Sequence, residues 1–109
     1  GVEMVHYEVE RNGMKRSSKL KKVLWLDPDL LRICIAVQRP QKMSQKITPG
    51  LYLRDISETR LGSNAYDFRN HTDPPDHDEY CLSLIGTEGV LCLQLPTQFS
   101  RDWFHERFQ

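Results

Sequence analysis

Apolar and polar positions alternate along most of this chain, and the alternation has period two, the signature of half-buried strands. Residues 4–10 (Met-Val-His-Tyr-Glu-Val-Glu) read as a strand with Tyr7 and Val9 on one face. Asn12-Gly13 is a turn signal. Residues 20–26 form a second strand, with Leu20, Lys22, Leu24 and Leu26 on one face and Lys21, Val23 and Trp25 on the other. Asp27-Pro28-Asp29 marks a tight turn, and residues 30–38 form a third strand rich in β-branched side chains. Residues 39–50, with Pro40, Lys42, Lys46, Pro49 and Gly50, read as an exposed loop. Leu51-Tyr52-Leu53 opens another extended segment, and residues 55–61 alternate up to Gly62. Residues 63–79 hold no sustained period, although Tyr66 and Phe68 can pin a short helical piece. Residues 80–85 and 90–95 are two strands of a hairpin turning across Gly86–Gly89. Pro96 and Thr97 then start a helix whose apolar stripe is Phe99, Trp103 and Phe108, with Trp103 as its anchor on the sheet.

Roughly six strands followed by one helix predict a mainly β domain. An antiparallel sheet this small leaves a face uncovered, so it must curl, and a helix can cap its open end. A chain of 109 residues suits one domain with one core.

Charge adds an asymmetry to this picture. The chain is formally neutral, yet residues 1–49 carry ten Lys/Arg against five Asp/Glu, and residues 50–109 carry five against ten. Such a dipolar chain can orient toward an anionic surface. Bulk nucleic-acid binding is disfavoured, because that footprint raises the isoelectric point of a whole domain. Cys34, Cys81 and Cys92 each sit inside an apolar run with no CxxC spacing. They read as reduced core residues of a cytosolic protein.

The densest chemistry lies at residues 11–22, which hold six basic residues and no acidic one: Arg11, Lys15, Arg16, Lys19, Lys21 and Lys22. A cationic loop on a β scaffold is a candidate site for phosphate, which lysine meets as a point charge and arginine as a bidentate fork. The loop His71-Thr-Asp-Pro-Pro-Asp-His-Asp-Glu79 has metal-ligand residue types, but without a regular frame it reads as a solvated acidic loop. It would repel an anionic membrane, so it is expected to lie away from the basic tip. Cys81 or Cys92 with His105 makes a poor nucleophile pair, since apolar strands raise a thiol pKa. No cofactor or metal is expected.

Several motifs occur in a familiar order: Asp55-Ile-Ser-Glu-Thr-Arg-Leu-Gly62, Asn64-Ala-Tyr-Asp-Phe-Arg-Asn70, Tyr80-Cys-Leu-Ser-Leu-Ile85 and a terminal helix with a central Trp. The chain resembles a pleckstrin-homology (PH) domain over about residues 5–108, closest to those of phosphoinositide-specific phospholipases C and their inactive relatives. It is also similar to those of the engulfment and cell motility adaptors. The resemblance implies a bent seven-strand antiparallel barrel capped by a C-terminal helix. It implies a non-catalytic module, cut from a larger multidomain protein, that binds phosphoinositides or an anionic membrane surface from the cytoplasm. The alternative is a protein–protein interaction module on the same fold with little or no lipid affinity. The family's basic positions fall near Arg11 and on Lys22. Leu20 stands where a second inner base would be, and Lys19 and Lys21 resemble an outer-face site.

Overall fold

The structure, a computed structural model, describes residues 2–9, 17–27, 31–38, 50–87 and 89–108. Its strands are β1 (Val2–Val9), β2 (Ser17–Asp27), β3 (Arg32–Ala36), β4 (Gly50–Tyr52), β5 (Ile56–Leu61), β6 (Cys81–Gly86) and β7 (Val90–Gln94). Two α-helices, α1 (Tyr66–Arg69) and α2 (Gln98–Phe108), complete the order, with short 3-10 turns at Leu53–Asp55 and Asp78–Tyr80. All seven strands join one antiparallel sheet in the order β4-β3-β2-β1-β7-β6-β5. The expected fold class holds: mainly β, one seven-strand antiparallel sheet, a helix at the C-terminal end. The loop expected over residues 39–50 lies, apart from Gly50, outside the described residues.

One apolar core joins both ends of that strand order. Leu24, Ile33, Ile35 and Leu51 from β2–β4 pack with Leu82, Leu84, Leu91 and Leu93 from β6 and β7, together with Phe104 of α2. Residues so far apart in the sheet meet only if it bends over on itself. The other face is covered too. Tyr7, Cys81 and Cys92 pack there against Phe68 of α1, flanked by Val5, Ala65 and Val90. Cover on both sides explains why the 80–85 segment lacks clean alternation. Cys81, Leu82, Ser83 and Leu84 are all buried, the odd positions on one face and the even on the other. All three cysteines are buried, and none of them is in a disulfide.

Register places Leu24 opposite Val2, Lys22 opposite Met4 and Leu20 opposite His6. Lys22 and Leu24 therefore share the concave face, as the alternation predicts. Leu20 and Leu26, of the same parity, are instead about half exposed.

The helix turns differently from its expected stripe. Phe99 is 79% and Trp103 42% exposed, whereas Phe104 is 9% exposed and stacks on Phe108 at 5.8 Å. The helix begins where Thr97 Oγ1 accepts the Ser100 N–H at 3.0 Å, a side-chain cap on its first turn. That start sets the phase: Arg101, Phe104 and Phe108 point inward, and Arg101 donates to the Asp78 carbonyl at 3.5 Å. Trp103 is not the anchor; Phe104 is.

Candidate functional site

The basic residues of β2 divide by strand parity, and each described one meets an acid or a polar partner. On the concave face the Lys22 ammonium lies 3.0 Å from His6 Nδ1 and 3.6 Å from Glu8 Oε1, its side chain only 11% exposed. An ammonium only donates, so His6 Nδ1 accepts and the ring is neutral. Burial is the main reason, pushing the His6 pKa down to about 4; the Glu8 charge opposes this, the Lys22 charge adds to it and Asp67 opposes it. Nδ1 also lies 3.2 Å from Glu8 Oε1, so one ammonium holds two acceptors together.

On the convex face, Lys19 Nζ reaches Asp73 Oδ2 at 3.1 Å and sits 5.6 Å over the Tyr7 ring. The hydrogen bond to Asp73 raises the Lys19 pKa, while burial raises that of Tyr7 against the pull of Lys19. Lys21 is 3.9 Å from Glu3 Oε2, and both side chains are well exposed. Leu20 stands between these two lysines in sequence and is 49% exposed. Arg11, Lys15 and Arg16 lie outside the described residues; they belong to the segment that joins Val9 to Ser17, which are paired across β1 and β2.

The acidic 71–79 loop was expected to keep away from this region, and it does not. His71 is buried edge-on against Tyr7, with ring centroids 5.1 Å apart. Its Nδ1 accepts the Asp73 N–H at 2.9 Å, which leaves Nε2–H to donate to the Ser18 carbonyl at 3.0 Å. Thr72 N–H donates to Ser17 Oγ at 3.1 Å. Hydrogen bonding to the start of β2 and the Lys19–Asp73 attraction outweigh any general separation of charge. At its far end the same loop is fixed by Asp78, whose Oδ1 accepts the Ser63 N–H at 2.7 Å and the Ser63 hydroxyl at 2.8 Å. These bonds lower the Asp78 pKa.

Sequence alone assigns no place in this site to His6, Glu8 or Glu3, and it puts Asp73 only in a solvated acidic loop. The signal for His6 and Glu8 was present, since period two puts both on the Met4 face of β1. Asp73 gave none, because its contact with β2 spans 54 positions of irregular chain. Burial pushes the Cys81 thiol up to about 12, and its Sγ donates to the His77 carbonyl, so it is a protonated core group and no nucleophile. No model of a known protein family matches this chain, and neither does any curated protein. Among the described residues, no helix is long and apolar enough to cross a membrane.

Proposed function

We propose that this chain is a non-catalytic module of pleckstrin-homology type that contacts anionic lipid headgroups through its first hairpin. The observation that supports the reading most directly is Lys21 on the convex face of β2, beside Lys19: among the described residues its ammonium meets a carboxylate, that of Glu3, only at 3.9 Å, and both side chains of this pair are well exposed. Two lysines of one parity on the convex face can meet the headgroup phosphates of an anionic surface together. Each basic residue near such a surface contributes about 1 kcal/mol. The sequence adds Arg11, Lys15 and Arg16 in the connecting segment. Lys22 acts differently. Enclosed with Glu8 and His6, it organises the concave face and is a poor first contact for a headgroup. The proposal is therefore of weak, salt-sensitive association and not of a tight pocket.

Vesicle sedimentation tests it. Vesicles carrying several percent phosphoinositide in a zwitterionic background should retain the protein at about 0.05 M salt and release most of it at about 0.5 M, where the Debye length is short. No retention at low salt rejects the reading.

A second reading, a protein-binding module, is favoured by one specific feature. Phe99 and Trp103 lie one turn apart on the exposed side of α2, and the Arg107 guanidinium sits 4.5 Å over the Trp103 ring. Exposed aromatics and arginine of this kind are common centres of protein contacts. Under this reading, retention on vesicles is independent of lipid charge.

A further inference from the structure

The two ends of the sheet are unequal: β4 is three residues long, whereas β5 runs over six. Among the described residues no strand lies beyond β5, which pairs with β6 alone. Helix α2 braces the strand from one face, where Thr59 Oγ1 and His105 Nδ1 are 2.6 Å apart. Ser57, Glu58, Arg60 and Leu61 are exposed.

The direction of the backbone groups at this edge follows from the ladder. Gly62 N–H donates to the Cys81 carbonyl at 2.9 Å, and that pair continues the register in which Arg60 faces Ser83 and Glu58 faces Ile85. Hydrogen-bonded pairs alternate along an antiparallel ladder, so Glu58 and Arg60 turn their N–H and C=O groups toward β6. The next ladder agrees. Leu95 N–H donates to the Tyr80 carbonyl at 2.8 Å, which turns the even positions of β6 toward β7 and the odd ones toward β5. Thr59 and Leu61 therefore turn their backbone groups outward, and such an edge is a template for another strand.

The side chains select which strand. Arg60 Nε donates to Glu58 Oε1 at 2.7 Å and Nη2 donates to Oε2 at 3.2 Å, so the two charges stand on one face, each about half exposed. They flank Thr59 symmetrically. Two copies paired antiparallel about Thr59 set Glu58 opposite Arg60 of the second copy, and Arg60 opposite its Glu58. Centring the pair on Glu58 or on Arg60 sets like charges opposite one another, which destabilises a sheet. In the Thr59 register the two threonines exchange both backbone bonds, as the phase of the ladder requires. Charge and hydrogen-bond phase thus select the same two-fold arrangement, self-complementary as a closed dimer interface must be.

We propose that β5 pairs with β5 of a second copy, antiparallel and centred on Thr59, joining two seven-strand sheets across a two-fold axis. The pairing does not depend on whether the first hairpin touches lipid. One strand edge is small against the roughly 1,200–2,000 Å² of a stable interface, so the dimer is weak and forms at high protein concentration.

Sedimentation equilibrium from about 0.01 to about 1 mM should show monomer giving way to dimer. Over the same range, amide hydrogen exchange should slow at Thr59 and Leu61, the two amides that cross the new ladder. Glu58→Arg and Arg60→Glu should each weaken the dimer about tenfold or more, because each sets two like pairs where two unlike pairs stood. An equimolar mixture of these two variants should associate as the wild type does, since every pair across the axis is again unlike. The proposal is overturned if the wild type stays monomeric at about 1 mM, or if the dimer survives either charge reversal. It is equally overturned if the mixed variants fail to associate, or if the slowed amides lie on α2 and not on β5.

Discussion

His6 should make this domain acid-sensitive in a window that the buried imidazole defines. Its folded pKa is about 4, against 6.5 for an unconstrained histidine. Between those values the unfolded chain binds a proton that the folded chain refuses, so stability is complete above about pH 6.5 and is lost as pH falls toward 4. The difference of about 2.5 pKa units corresponds to about 3 kcal/mol. That is a large part of the ~5–15 kcal/mol that holds a domain together. Carboxylates also titrate in this range, so the informative quantity is a difference between two proteins. His6→Asn keeps an acceptor for the Lys22 ammonium and removes the titrating ring. Urea unfolding followed by far-ultraviolet circular dichroism, from about pH 7.5 down to about pH 4, gives both stability curves. The wild type should lose about 3 kcal/mol more than His6→Asn over that span. Parallel curves would show that His6 takes up its proton without cost in the folded state, and that it is not enclosed as described.

Three further outcomes follow from packing and charge. Phe104→Ala should cost about 3–5 kcal/mol, as a buried aromatic truncation does, whereas Trp103→Ala should cost about 1 kcal/mol; urea midpoints in the reverse order would restore Trp103 as the anchor. Gly50→Ala should destabilise by about 3 kcal/mol or prevent folding, because a Cβ there would lie 2.0 Å from the Ile33 carbonyl oxygen within the β3–β4 ladder; a wild-type thermal midpoint would contradict that close approach. Asp73→Asn removes the carboxylate that holds Lys19 and should strengthen retention on anionic vesicles about fivefold, by roughly 1 kcal/mol; weaker retention would mean that the ion pair positions Lys19 for lipid instead of neutralising it.

Local periodicity carried most of the fold. The strands around Tyr7, Leu24, Ile33, Leu84 and Leu93 were legible because each alternates or runs apolar against a nearby turn signal. The short helix at Tyr66–Arg69 was legible in outline, from two aromatics in an aperiodic stretch. What could not be read was how separate segments meet. Lys22 falls on the concave face by parity alone, but its enclosure with His6 and Glu8 needs the β1–β2 register. The phase of α2 failed for a related reason. Phe99, Trp103 and Phe108 make an acceptable stripe, yet the inward side is set by Phe104 and by Arg101, a charged residue that reaches the Asp78 carbonyl. Asp73 and Arg32 depend on tertiary placement entirely: one reaches β2 through an irregular loop, the other meets Tyr52 only because β4 lies beside β3.

The central claim is that the first hairpin carries the membrane contact, and one comparison bears on it most directly. Lys21→Glu reverses a well-exposed charge whose acidic neighbour is 3.9 Å away, so the fold should survive and the surface change. On vesicles carrying several percent phosphoinositide at low salt, this reversal should weaken retention by about 2 kcal/mol, roughly thirtyfold. An unchanged circular dichroism spectrum would confirm that the loss belongs to the surface. Retention equal to wild type, with the fold intact, would contradict the claim and place any lipid contact elsewhere on the molecule.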